Sequence, residues 1–579
     1  MKRWLILLCL LGLAGLSLTA LADRSAATPL PSAQGTPMSP AAAPESSQSL
    51  VPPVRRPGNY DWPEVLEVGL DPHYYGLSGA FVNFNWSWIE VQEDVYGWSM
   101  VDDWLELQDA LGKAAGIGIT TYNGRGAPDG CGICALPEYL RDNPNAVWTS
   151  YLDHQIPRYW NDAYLQPYRR FINELGSRYR DDPRVEFVAI GTGMYGEIAP
   201  WDVHTDGKPG QDLPDYDNWI WIDTLKTITD YYIEAFSDGQ GQLKKVLFNQ
   251  TAPLGYSHAI RTQIADYSVQ HGVGLSINGL YPDGGTVRGD TGEHNTWGGM
   301  YDQVLRYDDS GDDDGTGLSV PLAWETYDYM IGCDGGVSVY WAVLNGLDKH
   351  PQYMRLHEDL FIYPSKPWHP VELWGTDQAE NIEVFTWAQP YLSARIDSNG
   401  QVRTPSVWAA MWDYREPWQT CWQARRVPPE DQDQPYPQDR NYDFWLYQFD
   451  NIAGGQTVVE TNTCTTYSGT PLTKPACNPD LPPGREGWVI RRTNEPTNPY
   501  MFFDIDNDYI HGGTNAVTIT VTYWDNATDD TWSLHYDAVG GERTATPLGS
   551  SNPWVRKEVS NNTYEQAVFV ITDARFANG

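Results

Sequence analysis

Two glutamates in this sequence each follow a short apolar run among aromatic side chains. The first run covers residues 185–191 and leads through Met194, Tyr195 and Gly196 to Glu197, and the second covers residues 320–324 and ends at Glu325. Both runs are typical of buried parallel strands that a polar loop follows. Two carboxylates at one mouth of a barrel suit hydrolysis of a glycosidic bond, because one protonates the leaving oxygen while the other attacks the anomeric carbon or activates water. The alternative is a pair of surface loop glutamates in an acidic protein.

The elements that must position these carboxylates alternate along the chain between strand-like and amphipathic helical segments. This alternation predicts an α/β fold, a (β/α)8 barrel whose parallel strands deliver their carboxyl ends to one face. A doubly wound open sheet is the alternative, but no glycine-rich phosphate loop follows the first predicted strand. The predicted strands are residues 79–86, 117–122, a third near 147–152, 185–191, 245–249, 272–278, 320–325 and 336–341.

The chain divides into five segments by composition. Residues 1–22 have the basic start, apolar core and small residues of a secretory signal peptide, so we expect a secreted, extracellular protein. Residues 23–60 are rich in Ala, Pro and Ser and predict a disordered linker. The catalytic barrel is expected over 61–360, and a barrel-packing segment with a linker over 361–435. Short alternating strands over 436–579 predict an all-β sandwich, an accessory module.

Charge and aromatic content narrow the class of partner. The formal net charge of −38 repels nucleic acid and anionic membranes, so neither is expected as a partner. The 26 Trp and 36 Tyr offer faces that stack on sugars, although core packing uses most of them. We therefore expect a polysaccharide or oligosaccharide partner; the oligomeric state stays open.

The cysteines are candidates for disulfide bonds, and one group of aspartates is a candidate for binding a metal ion. Six cysteines follow the predicted signal peptide, and Cys131 with Cys134 and Cys464 with Cys477 are the simplest pairs, leaving Cys333 with Cys421. No cofactor or metal is expected at the catalytic site. Asp504, Asp506 and Asp508 leave a structural calcium open as a weak signal.

Polar and aromatic residues at other predicted strand ends are candidates for sugar contacts, because amides and hydroxyls match the donors and acceptors of sugars. Each could instead serve as a turn or capping residue. From this position in the sequence alone, the candidates are Tyr122, Asn123, Arg125, Asn249, Asn278 and Tyr281.

Two motifs carry a resemblance to a known group of enzymes. The sequence Trp86-Ser87-Trp88-Ile89-Glu90 with its continuation at residues 93–98, and the run at residues 178–185, resemble segments of secreted glycoside hydrolases of clan A, closest to family 42-like enzymes. The resemblance implies that Glu197 is the acid/base at strand four and Glu325 the nucleophile at strand seven. It also implies substrate contacts by Trp86, by Trp341 after strand eight and by Tyr281 near strand six.

One departure from that pattern concerns the residue before the acid/base. Members of the clan carry an asparagine there that contacts the sugar 2-hydroxyl, whereas this chain has Gly196. We expect retention of configuration, for which the carboxyl groups lie about 5–5.5 Å apart. The competing hypothesis is a non-catalytic polysaccharide-binding protein built on a barrel relic. A lyase or esterase is disfavoured, since no Gly-x-Ser-x-Gly elbow is present.

Overall fold

The computed structural model describes part of the chain. Arg125, Tyr281 and the cysteines at 333, 421, 464 and 477 lie outside it, as do the predicted signal peptide and most of the predicted linker. The described residues are 52, 54–63, 66, 69–124, 131–149, 154–201, 216–250, 258–278, 280, 320–326, 336–362, 378–396, 401–411, 441–449, 458–461, 489–493, 500–525, 530–557 and 563–577.

Eight parallel strands form a closed barrel, which confirms the predicted fold class. The first strand pairs with both the second and the eighth, and this closes the sheet. In chain order the strands are β1 (Gly58–Trp62), β2 (Gly79–Asn85), β3 (Ala114–Thr120), β4 (Val185–Ala189), β5 (Val246–Gln250), β6 (Gly274–Asn278), β7 (Leu322–Glu325) and β8 (Tyr353–His357).

Helices fill the connections between the strands, as a parallel barrel requires. Within the described residues they are α1 (Pro72–Tyr75), α2 (Trp86–Ile89), α3 (Ser99–Ala110), α4 (Glu138–Arg141), α5 (Asp162–Tyr179), α6 (Asn218–Phe236), α7 (His258–Gln270), α8 (Gly336–Leu347) and α9 (Gln378–Ala388). Short 3₁₀ turns cover Gly132–Ala135, Glu358–Leu360 and Tyr391–Ser393. None of these helices combines the length and apolarity needed to cross a membrane.

Aromatic side chains fill the lower part of the barrel interior. The Phe187 ring lies 5.1 Å from the rings of both Tyr60 and Tyr353 and 5.4 Å from that of Phe248, measured between centroids. Gly116 on β3 makes room for them, since a Cβ there would lie 2.1 Å from Phe187 Cζ. These rings form a packed layer in the barrel interior, below the carboxyl ends of the strands.

The order of the strands corrects four sequence assignments. Residues 79–86 and 117–122 contain the second and third strands, not the first and second. Val147–Thr149 pairs antiparallel with Gln155–Pro157 outside the barrel, so it is not the third strand. Residues 336–341, expected as strand eight, begin helix α8.

The strands missed by the sequence analysis are the two with alternating polar residues. On β1, Asn59 donates to the Phe385 carbonyl oxygen, 2.9 Å away, and Asp61 pairs with Lys113 at 2.7 Å. On β8, Arg355 pairs with Glu325. These partners come from distant parts of the chain, so a strand that buries charge does not look buried in the sequence.

The C-terminal region consists of antiparallel strands, as expected for a β domain. Its largest sheet orders Asn515–Asp525, Thr563–Ala574, His535–Ala538 and Gly541–Thr544, and a ribbon of Thr531–Trp532 with Val555–Arg556 packs on it through Trp532, Val555 and Phe569. The other antiparallel pairs are Glu90–Gln92 with Val95–Tyr96, Arg395–Ile396 with Val402–Arg403, Trp408–Met411 with Asn441–Phe444, Leu446–Phe449 with Phe502–Ile505, and Val458–Thr461 with Val489–Arg492.

Candidate active site

Glu325 is the last residue of β7 and is 1% exposed. Its register partners are Asn278 at the end of β6 and Arg355 on β8. Alternate residues of a strand point to the same side. Ala323 belongs to the barrel's inner core, so Glu325 also points inward, whereas Trp324 packs outward against the helices. The carboxylate therefore lies inside the barrel at its carboxyl-terminal mouth.

The electrostatic environment of Glu325 combines burial with positive charge. Burial raises the pKa of the Glu325 carboxyl above its ordinary value, while Arg355 and His357 act to lower it. Arg355 Nη2 lies 2.5 Å from Glu325 Oε2, and both side chains are almost fully buried. A carboxylate held in this way is a charged group in a nearly dry site, where electrostatic interactions are strong.

Glu197 lies in the loop after β4 and is also 1% exposed. Its amide donates to the Met194 carbonyl at 2.9 Å, and its own carbonyl accepts from Thr192 Oγ1 at 2.7 Å. The loop is held against the end of the neighbouring strand β3, because the Tyr195 amide donates to the carbonyl of Tyr122, which follows β3, at 2.8 Å. These backbone bonds fix the position of Glu197.

The turn before Glu197 requires unusual backbone. Tyr195 and Gly196 both have left-handed conformations, with φ of 57° and 82°. Such conformations in non-glycine residues cost free energy and occur at functional sites when the surrounding structure enforces them. A Cβ at Gly196 would lie 3.1 Å from the Ile119 carbonyl oxygen, so the loop passes close to β3.

Two amides flank Gly196 from the barrel interior. The ideal Cβ position of Gly196 is 3.9 Å from both Asn83 Oδ1 on β2 and Gln250 Nε2 on β5. Within the described part of the chain, neither atom has a hydrogen-bond partner. Asn83 Oδ1 is an acceptor and Gln250 Nε2 is a donor, and a hydroxyl group can match either of them.

A continuous row of polar residues links the surroundings of the two glutamates. Gln250 near Gly196 is in register with Ser276 on β6. Arg355 donates to Ser276 Oγ and pairs with Glu325. Glu325 and Gly196, the residue before Glu197, thus both border a polar row that runs from the β4 loop through β5 and β6 to β8.

Three of the predicted sugar contacts lie at this end of the barrel. Asn123 Nδ2 donates to Asn85 Oδ1 at 3.0 Å, which joins the ends of β3 and β2. Tyr122 is buried beneath the β4 loop, and Asn278 ends β6 beside Glu325. Their roles as substrate contacts stay predictions, as do those of Arg125 and Tyr281 outside the described residues.

Of the other three predicted contacts, two pack against helices and the third belongs to a helix. Trp86 is fully buried, 4.9 Å from the Tyr168 ring of α5, and donates from Nε1 to Glu90 at 2.7 Å. Asn249 points outward and donates to Thr229 Oγ1 on α6 at 3.0 Å. Residue 341 belongs to α8 and does not follow strand eight. In the first two cases packing between strand and helix removes the side chain from the mouth.

The described residues also bear on the predicted metal and disulfide sites. In the described ranges, no group of three His, Cys, Asp or Glu side chains could hold a metal ion. Asp506 accepts from the Asp508 amide and from the Tyr447 hydroxyl, and the structural calcium stays a prediction. Cys131 and Cys134 lie at bonding distance, with Cα atoms 5.3 Å apart.

Comparisons with known proteins bear on the barrel. No family model and no curated protein matches the sequence. Among solved structures, a β-amylase catalytic domain from Paenibacillus polymyxa is similar over 53% of this chain and 94% of its own, with 10% identity and a TM-score of 0.40. β-Galactosidases from Marinomonas ef1 (11% identity, TM-score 0.36) and Halorubrum lacusprofundi (13%, 0.37) are similar over 57% of this chain and 58% of theirs. At these identities the likeness concerns the fold alone.

The sequence analysis missed Arg355, Ser276 and Asn83 as residues of the mouth. Each points inward two residues before the end of its strand, with the same orientation as the residues two positions away. That period of two was the signal that could have found them. For β8 this periodicity could not identify Arg355, because the eighth strand was predicted at residues 336–341 instead of Tyr353–His357.

Proposed function

We propose that this protein is a glycoside hydrolase that cleaves a polysaccharide or oligosaccharide. The observation that carries the proposal is a pair of buried glutamates in a closed parallel barrel, Glu325 at the end of β7 and Glu197 in the loop after β4. Active sites of such barrels lie at this end. A pair of carboxylates beside hydroxyl-matching amides suits glycosidic bond cleavage.

The proposed mechanism is retaining, with two displacements. Glu325, the carboxylate held by a cation, attacks the anomeric carbon and forms a covalent glycosyl intermediate. Glu197 protonates the leaving oxygen and then removes a proton from the incoming water. The fixed backbone of the Glu197 loop supports this role, because a proton donor must be held within hydrogen-bond reach of the leaving oxygen.

The affiliation and location of the enzyme are part of the same proposal. The sequence motifs at residues 86–98 and 178–185 support a clan A enzyme similar to family 42. The apolar N-terminal segment with its small residues supports export by a signal peptide. The expected substrate is a carbohydrate outside the cell.

The experiment is a screen of neutral and acidic polysaccharides and oligosaccharides for release of reducing ends. The full chain without residues 1–22 is compared with Glu325→Gln and with Glu186→Gln. Glu186 is a matched control, because it is a buried glutamate that accepts from the Arg55 amide at the opposite end of the barrel. The proposal expects release by the wild type and by Glu186→Gln, but not by Glu325→Gln.

Two results would contradict the proposal. Equal turnover by Glu325→Gln and the wild type would exclude Glu325 as nucleophile. Binding of a glycan by both proteins without any release of reducing ends would instead favour the non-catalytic polysaccharide-binding protein.

A further inference from the structure

We propose that Arg355 is a positioning residue for Glu325: its guanidinium keeps the carboxylate ionised and fixes its orientation at the mouth. This inference rests on the proposed function, in which Glu325 acts as nucleophile. Neither the sequence motifs nor the predicted contacts included Arg355.

The first support is the geometry of the guanidinium. Arg355 is 1% exposed and reaches Glu325 Oε2 with Nη2 at 2.5 Å. The same Nη2 donates to Ser276 Oγ on β6. Arg355 thereby ties together three adjacent strands, β6, β7 and β8, at the level where Glu325 ends its strand.

The second support is the contact on the other side of the guanidinium. Arg355 Cζ lies 4.4 Å from the centroid of the Phe81 ring on β2, across the barrel interior. A cation over an aromatic face is attracted to it, and packing against the ring limits the rotamers of the arginine. The Phe81 ring and Ser276 together fix the position from which Arg355 meets the carboxylate.

The third support is the charge balance around Glu325. The charged groups that act on it are Arg355 and His357, both on β8, and both favour the ionised carboxylate. The facing positions on β6, Ser276 and Asn278, are uncharged. Burial opposes ionisation and raises the pKa of the Glu325 carboxyl, and the nearby cation at Arg355 offsets part of that effect.

A purely structural ion pair is the competing explanation, and the protein contains one for comparison. Lys113 Nζ lies 2.7 Å from Asp61 Oδ1, and both side chains are fully buried on the outer side of the barrel strands. Removing one partner from either pair leaves an uncompensated buried charge and destabilises the fold. Only the Arg355 pair should also control the protonation of Glu325.

The experiment compares Arg355→Met, Arg355→Lys and Lys113→Met in the full chain. Protein labelled with ¹³C-glutamate is titrated by infrared spectroscopy, and the Glu325 carboxyl band is identified by its loss in Glu325→Gln. This readout requires no substrate. Where the screen has found one, the acidic limb of the kcat/KM profile is measured as well.

The expected result is that Arg355→Met raises the pH at which Glu325 releases its proton by about one to three units. Arg355→Lys, which keeps the positive charge, should restore most of the wild-type titration. Lys113→Met should lower Tm and leave the Glu325 titration unchanged. The acidic limb of kcat/KM should move to higher pH only in Arg355→Met.

An unchanged Glu325 titration in Arg355→Met would overturn the inference. If Arg355→Met does not fold, a wild-type titration in Arg355→Lys with a normal Tm is still expected, and a raised one would overturn it. A chain that hydrolyses no glycan but shows the expected titrations would reject the proposed function and leave the control of Glu325 by Arg355 standing.

Discussion

Glu325 and Glu197 are both buried, but their side chains are held in different ways. Glu325 is the end of a strand and pairs with a cation, whereas Glu197 is placed by the backbone of a loop. An ion-paired carboxylate suits a nucleophile, and a carboxyl group on a firmly held loop suits a proton donor. The two glutamates have identical side chains, but their different surroundings suit them to different chemical roles.

Replacing Glu325 by alanine should abolish turnover, and it should also lower Tm, because the buried Arg355 loses its ion pair with Glu325. Azide should restore part of the rate, because a small anion can occupy the space of the missing carboxylate and attack the anomeric carbon. The measurement is the rate with and without azide, with identification of a glycosyl azide product. A variant that keeps near wild-type turnover would remove Glu325 from the mechanism.

Replacing Glu197 by alanine should reduce the rate mainly on substrates with poor leaving groups. Activated aryl glycosides need little protonation of the leaving oxygen, so their first step should be less affected. The comparison is kcat/KM on an aryl glycoside and on the natural glycan. Equal losses on both would contradict the role of Glu197 as acid.

At the scale of elements, the loop between β4 and α6 decides where Glu197 lies. The loop depends on left-handed backbone at Gly196 and on its approach to β3. Strand β8 contributes to the position of Glu325, because it carries Arg355, which pairs with the carboxylate. Each glutamate is thus positioned by an element other than its own strand.

Gly196→Ala should destabilise the protein by about 1–2 kcal/mol, because an alanine in left-handed backbone is strained. It should also lower kcat by about tenfold or more, because the crowding against Ile119 displaces Glu197. Gly112→Ala is the matched control, since Gly112 has φ of 76° with no atom within 4 Å of its Cβ position. We expect a similar loss of stability there with unchanged kcat; an equal loss of kcat would contradict the argument.

At the scale of the whole molecule, the segment of strands at 408–411 and 441–449 belongs with the barrel. Phe444 and Trp445 are buried, and the Trp445 ring stacks on His350 at 4.0 Å. The sheet formed by residues 515–574 has a separate core. In that core Trp532 packs against Phe569, whereas Trp554 is 52% exposed.

Two truncations should therefore behave differently. A chain ending at residue 439 should unfold at lower temperature or aggregate, because it loses Phe444 and Trp445 from the barrel surface. A chain ending at residue 512 should keep the Tm of the barrel and its rate on soluble oligosaccharide. If the chain ending at residue 512 is retained less well on insoluble polysaccharide than the full chain, glycan binding by the C-terminal β domain is supported. If the chain ending at residue 512 fails to fold, the separation of the two cores is contradicted.

Stability should also depend on pH through Glu358, which follows β8. Burial raises the pKa of Glu358 from 4.5 to about 7. Between these values the folded protein keeps a proton that the unfolded chain has released, so the free energy of unfolding falls as pH rises through this window. In Glu358→Gln, the free energy of unfolding should fall by about 1–3 kcal/mol less between pH 5 and pH 7.5 than in the wild type. The measurement is urea unfolding at the two pH values.

The exposed Glu106 on α3 provides the control for this prediction. Glu106→Gln should show the wild-type decline in stability between the two pH values. A Glu358→Gln variant with the same decline as the wild type would contradict a raised pKa at Glu358.

The sequence alone determined the class of fold and the position of the two glutamates. Apolar runs of strand length, separated by helical periodicity, suffice to predict a parallel barrel, and the end of a buried strand predicts where a polar residue reaches the mouth. For this reason, the predictions of the strand that carries Glu325 and of the strand that precedes Glu197 are confirmed. The β-rich C-terminal region was equally visible, because alternation of period two is a local property.

Only the tertiary structure decided which strands close the barrel and which side chains share the mouth. Strands β1 and β8 carry polar residues that become buried because Phe385, Lys113 and Glu325 supply their partners from distant positions. Asn249 and Gln250 are adjacent in sequence, yet one bonds to α6 and the other points to Gly196. Orientation and pairing across the barrel arise from closure of the sheet, which no local pattern in the sequence contains.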